Sequence, residues 1–147
     1  VTRHRARAAR SAKPSYRKAN QPSEHSIQAR FISGLQHIPH PAAQKCHYAI
    51  PNQAVGPRIQ RQVRFGAEGC RWGASDWHMF YPTKQFHGFF IEFKRQGEKP
   101  RPNQVEFMEL ARSCGHRVEV HTSAESAWAA VCDYLGVAVP EALRQYG

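Results

Sequence analysis

The run Phe89-Phe90-Ile91-Glu92-Phe93-Lys94 constrains this chain more than any other stretch. It is a continuous apolar β pattern that ends on an acid and a base. Side chains in a strand alternate between faces, so Ile91 and Phe93 enter the core while Glu92 and Lys94 project together on the other side. Asp76 opens a second apolar stretch just after Gly73. If the two strands pair, two carboxylates and an ammonium meet at one point. Carboxylate oxygens hold a hard divalent cation, and such a cation draws in a phosphate oxygen and acidifies water. A lysine beside it orients that water or neutralises charge developing on phosphorus. A Glu-x-Lys triplet also occurs at solvated strand ends. Here the apolar run before it, the Asp at a second strand start and the helix start near Gln104 favour metal-dependent phosphodiester chemistry.

The net charge of +10 is unevenly placed. Residues 1–22 hold Arg3, Arg5, Arg7, Arg10, Lys13, Arg17 and Lys18 and no acid, so the tail carries +7, and the other 14 basic and 11 acidic residues give +3. A basic arm on a mildly basic domain points to a polyanion partner, most simply nucleic acid. A tail kept soluble by its charge, or a targeting peptide, has similar composition. Arg3, Arg5, Arg7 and Arg10 do not interleave with bulky apolar residues, which argues against an amphipathic transit helix. Cys46, Cys70, Cys114 and Cys132 are widely spaced, with no Cys-x-x-Cys and no secretory pattern, so a reduced cytoplasmic protein is expected. Cys114 and Cys132 are expected to be buried in helices. No stretch approaches a membrane span, and the nine histidines lack the spacing of a zinc site.

Ser23 is expected to cap a helix reaching about Leu35, with Glu24 in its first turn and Ile27, Phe31 and Leu35 on one face. Pro39 and Pro41 then mark a loop, and residues 46–50 a short strand. A helix over residues 58–65 would align Arg58, Arg61 and Arg64 along one side, either as a solvated face or as a phosphate-facing stripe. Residues 76–81 and 86–95 are predicted to form a hairpin. Pro102 suits the first turn of the helix that carries Gln104 and stops at Gly115. A strand at Val118, Val120 and Thr122 follows, and Ser123 caps a last helix ended by Gly136. This order predicts an α/β fold, a mixed central β-sheet flanked by helices. It divides into an arm (1–22), a domain (23–136) and a C-terminal extension (137–147).

Gly73-Ala74-Ser75-Asp76, the run from Gly88 to Lys94, Gln104, Gly115 and Tyr134-Leu135-Gly136 together resemble the VRR-NUC domain, a branch of the PD-(D/E)xK, restriction-endonuclease-like superfamily. Glu24 in Ser23-Glu24-His25-Ser26-Ile27-Gln28 and the segment Tyr48-Ala49-Ile50-Pro51-Asn52 match its first helix and following strand end. The resemblance spans residues 23–136. It implies a restriction-endonuclease-like core, with Asp76, Glu92 and the Phe93 backbone carbonyl as ligands of Mg²⁺ or Mn²⁺. Lys94 would position or activate the attacking water, Gln104 would support Lys94 or the water, and Glu24 would reach the metal shell. It further implies a stand-alone phage or bacterial endonuclease, a homodimer acting on branched DNA such as Holliday junctions. Two positions depart from the family pattern: Ser75 replaces the usual proline before the acid, and Arg101 replaces the usual Ser or Thr cap. The rival reading is a non-catalytic nucleic-acid-binding module of the same fold. A sequence-specific restriction enzyme is disfavoured by the little chain left for base readout.

Overall fold

The computed structural model describes residues 21–51 and 66–145. Arg3, Arg5, Arg7 and Arg10 of the arm, and Arg58, Arg61 and Arg64 with the helix expected around them, lie outside the described residues.

Helix α1 (Glu24–Leu35) begins where the Ser23 signal puts it. Ser23 Oγ accepts the Ser26 N–H at 3.0 Å, and Ile27, Phe31 and Leu35 are buried along one face. Instead of the loop expected at Pro39 and Pro41, a short helix α2 (Pro41–Lys45) follows. His40 Nδ1 caps it by accepting the Ala42 N–H at 3.1 Å, and Pro41 occupies the first turn, where a missing N–H costs nothing.

Strands β1 (His47–Ala49), β2 (Trp77–Met79), β3 (Phe89–Phe93) and β4 (Arg117–His121) form one sheet in the order β1-β2-β3-β4. The first two pairings are antiparallel; β3 and β4 are parallel, joined through helix α3 (Pro102–Ser113). Trp77 lies opposite Ile91 and His78 opposite Phe90, so one step further the same register brings Asp76 level with Glu92. Both hairpin strands are shorter than expected. Thr83 organises the connection: its N–H bonds Phe86 O at 2.8 Å and its Oγ1 accepts the Phe86 N–H at 3.1 Å. Such local bonds compete with a ladder.

Alternation along β3 splits the core in two. Phe89, Ile91 and Phe93 pack with α1 and with helix α4 (Ala124–Leu135), whereas Phe90 packs with Phe107, Met108, Ala111 and Val118 under α3. Helices therefore cover both faces. Where α1 crosses α4, Trp128 Nε1 donates to Phe31 O at 2.9 Å, and a Cβ on Gly34 would collide with the Trp128 ring. Gly136 ends α4 with φ +68, and a short helix α5 (Glu141–Arg144) returns Leu143 to the same core, so the segment beyond Gly136 packs on the domain. Cys132 is buried, but Cys114 is exposed, because it falls on the C-cap of α3 and not on its packed face. No helix among the described residues is long and apolar enough to cross a membrane.

Candidate active site

Helix α1, the sheet register and the crossover into α3 bring together six residues singled out in the sequence: Glu24, Asp76, Glu92, Phe93, Lys94 and Gln104. Asp76, just ahead of β2, uses Oδ2 to accept the Phe93 N–H at 2.7 Å. Glu92 has no exposed surface. Its Oε1 lies 2.6 Å from Lys94 Nζ and accepts Gln104 Nε2 at 2.5 Å, while its buried Oε2 has no hydrogen-bond partner among the described residues. Lys94 Nζ also donates to Phe93 O at 3.1 Å and to Glu24 Oε1 at 3.2 Å. Oxygens from Glu24, Glu92 and Phe93 thus surround a single ammonium.

Gln104 stands in the first turn of α3, and its Oε1 accepts the Arg101 N–H at 2.8 Å. This is the reciprocal half of a capping box, supplied even though Arg101 stands where Ser or Thr is usual. Its amide nitrogen goes to Glu92, where Lys94 or the attacking water was the expected partner. Ser75, just before Asp76, is fully buried.

The electrostatics follow from burial. Desolvation, then the nearby Asp76 charge, push the Glu92 carboxyl up to about 7, with Lys94 opposing incompletely. Burial also raises Asp76, against the pull of the Phe93 N–H and Lys94. Burial draws Lys94 down, but Glu92 and Glu24 outweigh it and the ammonium ends above its ordinary range. At neutral pH Lys94 is therefore a hydrogen-bond donor and a positive charge, and the two inner carboxyls resist ionising together. A further cation would relieve that conflict.

No group of three or more His, Cys, Asp or Glu side chains among the described residues is arranged to hold a metal ion by itself. The candidate donors are all oxygens, from Asp76, Glu92 and the Phe93 carbonyl. This set fits a hard cation that binds through one or two carboxylates and otherwise keeps its waters, as Mg²⁺ does. The orphaned Glu92 Oε2 is the structural observation behind that fit.

The group opens into a cleft of about 430 Å³ that Glu24, Asp76, Lys94 and Gln104 line from within. Trp72, Lys99 and Arg101 also line it. The sequence reading gave none of these three a place in the site. One signal could have found two of them: a loop joining Lys94 to Gln104 has to pass over whatever those two residues build.

No family model matches the sequence, and no curated protein matches it. A solved structure described as a VRR_NUC domain protein is similar, with a TM-score of 0.66 at 17% identity, over 79% of this chain and 90% of that one. The fold is the mixed α/β, restriction-endonuclease-like one of that structure.

Proposed function

We propose that this protein is a divalent-metal-dependent endonuclease that hydrolyses phosphodiester bonds in DNA. The observation that carries this reading is that Asp76 and Lys94 line one cleft while Glu92 is buried against Lys94, its Oε2 without a hydrogen-bond partner among the described residues. Mg²⁺ or Mn²⁺ would rest on Asp76, Glu92 and the Phe93 carbonyl, and once bound would supply positive charge to a phosphate oxygen and acidity to the attacking water. Gln104 holds Glu92 by one oxygen and leaves the other for the cation. Lys94, kept protonated by its two glutamates, orients the water and offsets charge developing on phosphorus. Glu24 anchors the lysine from α1 and would join the outer shell of the cation.

The substrate in this reading is branched DNA such as a four-way junction, cut by a homodimer whose two-fold symmetry supplies the second site. The basic arm of residues 1–22 adds phosphate contacts without reading bases. The test is incubation of labelled duplex, single strand, flap and four-way junction with Mg²⁺, Mn²⁺ or EDTA, with Asp76→Ala in parallel. Cleavage that needs both the metal and Asp76 is expected. Binding that survives EDTA with no cleavage under any condition would instead make this a nucleic-acid-binding module.

A further inference from the structure

Trp72 stands apart from the other tryptophans. Trp77 and Trp128 are 0% and 2% exposed, whereas Trp72 keeps 40% of its surface in solvent while lining the cleft. It sits at the second position of a turn closed by the Ala74 N–H on Arg71 O at 3.1 Å, and Gly73 after it has φ +91, as the third position of a type II turn requires. A Cβ on Gly73 would come within 2.5 Å of Asn103 O, so this backbone lies directly on the first turn of α3. The turn is therefore held against the helix that carries Gln104, and three residues beyond Gly73 the chain reaches Asp76. Core packing does not account for an aromatic ring left so open beside a polar cleft.

Lys99 and Arg101 line the same cleft, along with one acid on their loop, Glu98. A partly exposed indole and two cations beside a phosphodiester site suit one kind of ligand: a nucleotide whose base is free to leave its pair. The base stacks on the ring and the flanking phosphates meet the cations. In an intact duplex the bases are already stacked on one another and cannot lie on the indole without first being unpaired. We propose that Trp72 forms a nucleobase subsite and is a specificity-determining residue, favouring DNA with an unpaired nucleotide next to the scissile phosphate. The inference rests on the nuclease reading above.

The experiment compares wild type, Trp72→Ala and Trp72→Phe on a flap and on a duplex of the same sequence, in Mn²⁺, with circular dichroism checking each fold. Stacking on an aromatic side chain is worth about 1–3 kcal/mol per base, so Trp72→Ala should lower the flap-to-duplex ratio of kcat/KM by about tenfold, mainly through KM. Trp72→Phe keeps a ring face and should retain most of the ratio. An unchanged ratio in a folded Trp72→Ala that still cuts overturns the subsite and leaves the nuclease reading standing; so does an equal fall on both substrates. A wild type that cuts neither DNA overturns both. Should Trp72→Ala not fold, wild-type tryptophan emission decides the matter: single-stranded oligonucleotide must quench it more than duplex does, and equal quenching overturns the subsite.

Discussion

Gln104 Nε2 donates to Glu92 Oε1 at 2.5 Å while the Gln104 Oε1 accepts the Arg101 N–H at 2.8 Å. One amide thus closes the first turn of α3 and fixes a fully buried carboxylate on β3. Gln104→Ala should cost about 1–3 kcal/mol, because it strips a hydrogen bond from a buried carboxyl that water cannot reach. Chemical denaturation measures that loss. Cleavage by the variant should fall as well, since Glu92 is then free to turn.

Asp76→Asn keeps an oxygen that can accept the Phe93 N–H, so the fold should hold. Its negative charge is gone, however, and cleavage in Mg²⁺ should drop by at least about 10²-fold, the scale of losing one preorganised electrostatic group. Wild-type turnover across a metal titration would remove Asp76 from the site.

Glu24 separates two roles. As a helix-dipole partner in the first turn of α1, its replacement by Gln should cost about 0.3–1 kcal/mol and leave activity alone. As the anchor of Lys94 Nζ at 3.2 Å, the same change should spare stability and slow cleavage. The second outcome is expected, and thermal unfolding and rate measured on one preparation decide it.

Binding of a divalent cation should be readable without any DNA. In the free protein Glu92 gains its charge only near pH 7, against about 4.5 when unfolded, so its ionisation takes stability away as pH rises through that window. A cation that binds the ionised pair reverses this. Mg²⁺ or Mn²⁺ should raise the unfolding temperature little at pH 5.5 and clearly at pH 8, and Glu92→Gln should abolish the difference.

His78 sets an acid limit of the opposite sign. Its ring stacks on Phe90 with centroids 4.1 Å apart, and burial, followed by the nearby His116, lowers its pKa to about 4. The unfolded histidine takes up its proton near 6.5, so stability is full above that pH and is lost as pH falls toward 4, by up to about 3 kcal/mol. Burial lowers His47 and His121 too, in the same sense. His78→Phe should flatten the fall in urea midpoint between pH 6.5 and 4.5.

The strands and the acid set were legible because the strand period of two leaves no choice of face once Ile91 and Phe93 are buried. Helix α1 was legible from Ser23 and the spacing of its apolar residues. Helices α2 and α5 were not: neither is long enough to show a period, and Pro41 reads as a stop when it serves as a start. The partner of Gln104 was out of reach for another reason. Its position in the first turn follows from local sequence, but which carboxylate it meets depends on how α3 packs over β3. Trp72 was out of reach as well, since nothing local says that Gly73 presses its turn onto α3.

The close crossing of Gly34 and Trp128 makes α1 a lever. Ten residues separate Gly34 from Glu24, about 15 Å of helix, so a small tilt where the indole meets bare backbone is magnified at the end that reaches Lys94. A methyl group added at Gly34 could disarm the cleft from the far side of the domain, and inactive variants gathered at random should include some that never touch a charged residue.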